Sequence, residues 1–404
     1  MSQSSVDFSQ AHAALQREID QQRLAGVSAA LLKNGELIDS FCSGMADLES
    51  GELMRADHIH RAFSNTKLIT SVLALMLVEQ GLFGLDDLVK QWIPALGRLS
   101  VLRPGAASLD DTEPLRRDIT LRHLLSHQSG LSHGVFDAGS MIFTAYNDSA
   151  LRRQDRTLEQ AMDLLAGLPL LFQPGEGWEY ALGADVLARV IEIVTGQNFG
   201  DALQTRLFDP LGMVDTGFVL KPEQLPRLAA LYRGDLADMT KPGLLRLDET
   251  PWPGAYRTPV PRQSAAGGLF TTQADMLKLL RQLMPGQPSL LLQPAMLAEL
   301  FTDQLSADQH VHFAHLGRFP SLGFGLAGAL TREPSMLATA AAVGELQWGG
   351  LAGTHWFISP ATGLAGVVMA QRHWGFWNKF WFRYKARVYE AAGQHPGGLN
   401  KSKS

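Results

Sequence analysis

Ser64 and Lys67 stand three residues apart in Phe63-Ser64-Asn65-Thr66-Lys67, at the head of a run that is almost wholly apolar over residues 68–78. Serine is a weak nucleophile until a base comes within hydrogen-bond reach. On a helix this spacing is one turn, which puts Lys67 on the face of Ser64. A serine at the helix start also keeps its backbone N–H available to a developing oxyanion. Lysine acts as a base only without its charge, a form that apolar surroundings favour. Acyl transfer through the serine oxygen is the chemistry that suits this pattern. A chain with this many serines and lysines meets S-x-x-K about once by chance, so its context has to carry the weight.

The elements around the motif supply part of that context. Residues 8–23 have helical spacing. Residues 26–32 and 36–42 read as two strands of a hairpin, joined by a type I′ turn at Asn34-Gly35. From Asn65 to near Gly81 the pattern is that of a helix buried on all sides. Thr120 is placed to cap a short helix over residues 121–126. A longer helix is predicted over Gly183–Thr195, stopped by Gly196. Residues 232–263, rich in Pro, Gly, Trp and Tyr, read as a long surface loop. Thr272 to Asp275 resembles a capping box opening a helix through Leu280. Strands are predicted over residues 344–348, 354–359 and 364–371, then an amphipathic helix over 376–392. Strands at both ends with helices between them predict an α/β sheet domain formed by residues 1–60 and 265–404. Residues 61–264, with the long loop near 232–263, would be a mainly helical inserted domain.

Composition narrows the function classes. The 404 residues are 46% hydrophobic and 19% charged, with a net charge of −5 and both signs interspersed. That predicts a large core and no nucleic-acid or membrane-surface partner. A single cysteine, Cys42, leaves no disulfide and no thiolate metal cluster. Residues 1–10 lack the basic patch and apolar core of a secretory signal, so a cytoplasmic protein is expected. His58/His60 and His310/His312 have strand-like spacing, yet no carboxylate or cysteine spacing accompanies them, and no metal is expected. Residues 26–30 come close to the G-x-S-x-G nucleophile elbow. That elbow joins a strand to a helix, whereas this segment is half of a hairpin.

Further segments, in order, are similar to landmarks of the serine β-lactamase and penicillin-binding-protein family. They are Phe63 to Lys67, Leu121 to Leu131 (LRHLLSHQSGL), Pro174-Gly175 followed by Tyr180, Leu211-Gly212-Met213, and Ser264 to Thr272 (SAAGGLFTT). The resemblance runs from about residue 25 to residue 372. It implies a β-lactamase-like α/β (α+β) fold: a mainly antiparallel sheet flanked by helices, with the active site in a groove beside the helical part. It implies Ser64 as acylated nucleophile, Lys67 as its neighbour, and Tyr180 as a proton carrier matching the tyrosine of class C β-lactamases. The family's Lys-Thr-Gly strand element is here Trp348-Gly349-Gly350, as in the family VIII carboxylesterases. The backbone N–H groups of Ser64 and Leu351 then match the two oxyanion donors.

Two departures bear on substrate. Leu182 stands where β-lactamases carry an asparagine, and Trp348 where they carry a lysine that meets the lactam carboxylate. Replacing a cation by an indole shifts the site towards neutral acyl groups. The expected enzyme is a cofactor-free carboxylesterase acting on a small-molecule ester of short-to-medium acyl chain, its oligomeric state left open. Trp348, Gly349, Gly350 and, from the long loop, Trp252 and Tyr256 are expected to line the substrate pocket. An acyltransferase, a D-amino-acid peptidase or amidase, and a weak β-lactamase are alternatives on the same fold; a slow-acylating binder is an alternative of another class. His127 is read as a capping or turn residue rather than a base.

Overall fold

Alternation along the strands decides which helices cover which face of the sheet. In strand β1 (Gly26–Lys33), Val27, Ala29 and Leu31 join one buried cluster while Ala30 and Leu32 join another. Successive side chains of a strand point to opposite faces, so a strand covered on both sides reads as one continuous apolar run. The computed structural model describes residues 6–247, 254–314, 316–375 and 379–393. Its main sheet has eight strands, here numbered in chain order. They are β1, β2 (Glu36–Asp47), β3 (Glu52–Leu53), β4 (Leu322–Phe324), β5 (Ala329–Thr331), β6 (Leu346–Gly350), β7 (Thr354–Ser359) and β8 (Leu364–Ala370). The spatial order is β4-β5-β6-β7-β8-β1-β2-β3, and each neighbouring pair is antiparallel. The two ends of the chain meet where β1 pairs with β8, Ala30 opposite Val367.

One face is covered by the terminal helices α1 (Ser9–Asp20) and α5 (Phe380–Ala391), through Ala11, Leu15, Phe380, Trp381 and Val388. Behind this layer Lys385 and Glu345 form a fully buried ion pair, with Gln347 accepting a further hydrogen bond from Lys385 at 2.8 Å. The other face carries the large core. It includes α2 (Thr66–Glu79), α3 (Gly183–Thr195) and α4 (Gln273–Leu283). Every residue of α2 from Thr66 to Leu77 is buried, as its lack of a polar face predicts. Two short strands, Ile59–Arg61 and Phe270–Thr272, pair just before the turn that carries Ser64 and just before α4.

Several local expectations hold in detail. Asn34 and Gly35 both have positive φ, +49° and +83°, as a type I′ turn requires. Thr120 and His123 cap each other's backbone, Thr272 accepts from the Asp275 N–H, and Gly196 ends α3 in the left-handed region at φ +67°. Others shift. The strand expected over residues 36–42 continues to Asp47, and the one expected over 344–348 is displaced to Leu346–Gly350. Trp348-Gly349-Gly350 therefore forms the last three residues of β6 instead of running past the strand's end. The short strands β4 and β5 were not apparent because three residues are too few to show a period. Within 232–263 the described residues form two short paired strands, Tyr232–Arg233 and Leu245–Arg246, amid irregular chain. No helix among the described residues is long and apolar enough to cross a membrane.

Candidate active site

Ser64 is the middle residue of a single 3₁₀ turn, Phe63–Asn65, that runs directly into α2. Phe63 is held in the left-handed region at φ +45°, which for a bulky residue costs on the order of 1–3 kcal/mol and persists only where neighbours enforce it. The neighbours are specific. The Ala62 N–H donates to the Leu269 carbonyl at 2.9 Å, and the Thr354 hydroxyl donates to the Ala62 carbonyl at 3.1 Å. The Leu269 N–H donates to the Thr66 hydroxyl at 3.2 Å. Strand β6 comes in from the other side. A Cβ on Gly350 would lie 2.3 Å from the Ala62 carbonyl oxygen and 3.1 Å from the Phe63 Cβ, so glycine is what lets the strand approach the Ser64 turn.

Lys67 is buried, and its ammonium donates to the Ala266 carbonyl at 2.7 Å and to Ser64 Oγ at 3.5 Å. The first bond fixes the side chain; the second is at the long end of the hydrogen-bond range. Ala266 is itself pinned by Asp185 of α3, whose Oδ1 accepts from the Ala266 N–H at 2.9 Å and from the Ser264 hydroxyl at 3.0 Å. Arg262 closes the set with a buried ion pair to Asp185 Oδ2 at 2.5 Å.

Tyr180 stands above the lysine, whose ammonium lies 4.4 Å from the centre of the phenol ring. The Trp348 indole N–H donates to the Tyr180 hydroxyl at 3.4 Å, with the two ring centres 5.3 Å apart. His133 stacks on the same phenol at 5.4 Å with an interplanar angle of 8°, while Phe136 and His127 meet it at 5.4 Å and 4.7 Å. His127 has positive φ, +61°, and its Nδ1 accepts the Ala181 N–H at 3.2 Å. Burial, and then the charge of Lys67, push its imidazole well below the ordinary histidine range. The neutral ring is thus occupied in setting the turn beside Tyr180, in line with the structural role expected of it. Burial foremost, with Lys67 next, acts in the same direction on His133. Beside Tyr180, burial and then the Asp137 carboxylate push Glu179 up to about 8. Burial lowers His312, so the 3.6 Å contact between Glu179 and His312 joins two neutral groups at pH 7.

Ser64, Tyr180, Trp348, Gly349 and Leu351 line one small cleft of about 20 Å³, together with Phe136 and Phe313. Gly350 lies against the Ser64 turn. Tyr256 is not brought there. It is fully buried in a separate cluster with Ile59, Leu220 and Phe270, its ring edge-on to Phe270 at 5.6 Å. The expectation that it lines the pocket is therefore corrected: its apolar body is taken up by that packing. Trp252 lies outside the described residues. Sequence reasoning missed Asp185, His133, Phe136 and Phe313, none of which carries a local signal of its place. Among the described residues, no group of three or more His, Cys, Asp or Glu side chains is arranged to hold a metal ion.

The Beta-lactamase family matches residues 11–376. The chain is 32% identical to Esterase EstB of Burkholderia gladioli, over 88% of this chain and 88% of that one. It is also 32% identical to the lovastatin esterase of Penicillium rubens, over 88% of this chain and 91% of that one. Among solved structures, EstCE1, described as a hydrolase with promiscuous acyltransferase activity, superposes with a TM-score of 0.80 at 27% identity, covering 94% of this chain and 98% of that one. The match across most of the chain shows that this chain belongs to the Beta-lactamase family.

Proposed function

We propose that this protein hydrolyses carboxylic esters through an acyl-enzyme on Ser64. The observation that carries the reading is the lining of the nucleophile's cleft: none of the described residues that form it is charged, and Trp348 occupies the strand position where a lactam-binding lysine is expected. The Lys67 ammonium beside the cleft is held by Ala266 and Ser64, and the lining offers no further cation to the carboxylate of an anionic substrate, whereas a neutral ester meets indole and phenyl rings. The esterase relatives at 32% identity lend support from a separate direction.

Ser64 Oγ attacks the ester carbonyl as Tyr180 takes its proton, with Lys67 supplying the positive charge beside the phenol. The Trp348 N–H at the Tyr180 oxygen and the Lys67 ammonium over the phenol ring support that role, since both favour negative charge on the phenol. The N–H groups of Ser64 and Leu351 receive the oxyanion. The alcohol leaves with the proton from Tyr180, and water then resolves the acyl-enzyme using the same base. An acceptor alcohol in place of that water would make the same intermediate an acyltransferase, a reading favoured by the activity ascribed to EstCE1. The test is kcat/KM on a chromogenic ester beside a chromogenic cephalosporin. The ester should win by at least on the order of a thousandfold, about 4 kcal/mol of transition-state binding. Comparable efficiency on the cephalosporin overturns the proposal.

A further inference from the structure

The cleft at Ser64, at about 20 Å³, has room for little more than a water molecule, so any sizeable group on either side of the ester must extend beyond it. A second cavity offers the space. It encloses about 570 Å³ between β4, β5, β6 and the start of α5, within the range of small-molecule sites. Phe319, Leu322, Leu337 and Trp381 form much of its wall, and Phe313 and Trp348 line both this chamber and the nucleophile's cleft. These two shared rings stack on one another, with centres 6.3 Å apart and planes at 27°. They form the partition between the reacting carbonyl and the chamber. Among the described residues the charged ones lining it are Arg318 and Lys379, both exposed. Met336, 97% exposed, stands at the same rim, an apolar side chain without cover.

Resting on the ester-hydrolase reading above, we propose that this chamber is the binding site for an extended apolar group of the ester, aliphatic or aryl, passing the Phe313–Trp348 pair. The preferred substrates then reach beyond the short-to-medium acyl range expected from sequence. The group belongs to either the acyl or the alcohol half, and both halves share the chemistry that the chamber recognises.

Two substrate series separate these sources: p-nitrophenyl esters from acetate to decanoate, and acetate esters of alcohols from ethanol to decanol, kept below their micelle concentrations. In the arm that enters the chamber kcat/KM should rise with each buried methylene, by roughly tenfold or more over the series. Leu337→Trp, which fills the chamber from its wall, should flatten that arm and leave acetate turnover unchanged. Binding is read independently of catalysis in Ser64→Ala. There a bromo-alkanol should quench tryptophan fluorescence, and Trp381→Phe should weaken that quenching. If acetate esters turn over but both arms are flat, the chamber assignment is overturned while the ester reading stands. If no ester turns over, the ester reading fails and the quenching experiment decides the chamber. Quenching unaltered by both Trp381→Phe and Leu337→Trp overturns it.

Discussion

Tyr180 is gripped by rings on several sides, a cation over one face and an indole N–H at its oxygen. Removing the hydroxyl alone leaves that packing in place. Tyr180→Phe should therefore stay folded and lose general-base catalysis, a factor of about 10² to 10⁴ in kcat. Lys67→Ala should cost at least as much, and the double mutant little more than the worse single, since both disable one proton-transfer unit. Near wild-type kcat in a folded Tyr180→Phe would reduce Tyr180 to a packing residue. Glu179, the adjacent residue, makes a different prediction. Its carboxyl is pushed up to about 8, so the folded state holds a proton that the unfolded chain has already released. Stability then falls as pH rises from the ordinary carboxylate range to about 8, and levels beyond. Glu179→Gln should raise Tm relative to wild type increasingly across that window, with no gain on the acid side of it. A Tm difference that is constant with pH would contradict this. At this scale Ser64 and Lys67 were readable because their relation is local, one turn of one helix. Tyr180 needed the family resemblance. His133, Phe136 and Phe313 were not readable, because chain far apart in sequence brings them to the phenol.

Elements place these residues through their ends and turns. The Lys67 ammonium is anchored by the Ala266 carbonyl, and the turn carrying Ala266 is anchored by Asp185 on the first turn of α3. Asp185→Asn keeps the size and loses the charge that meets Arg262, leaving a buried guanidinium without its counterion. A stability loss on the order of 3 kcal/mol is expected. In the fraction that folds, kcat should fall while KM changes little, as the Ala266 carbonyl loses its fixed position. Thermal melts and steady-state kinetics on the purified variant check both, and unchanged kcat would remove Asp185 from the account. Caps and turns were the elements best predicted from sequence. Thr120, Thr272, Gly196 and Asn34-Gly35 act on backbone groups within a few residues of themselves. Strand ends fared worse. The extension of β2 to Asp47 and the position of β6 depend on pairing partners that no local pattern names.

Across the whole molecule, the sheet joins both ends of the chain and holds the Ser64 turn against β6. The meeting of the ends was foreseeable because hydrophobic strands cluster near the two termini. The strand order was not, since β4 and β5 are too short to show a period. The account stands or falls on Ser64, at the junction of the buried helix, the strained Phe63 and strand β6. Intact-mass spectrometry of the full chain after treatment with a fluorophosphonate tests it most directly. One adduct per chain, mapping to Ser64 and absent in Ser64→Ala, is the predicted result; an adduct that persists in Ser64→Ala, or that maps to Ser28, would contradict it.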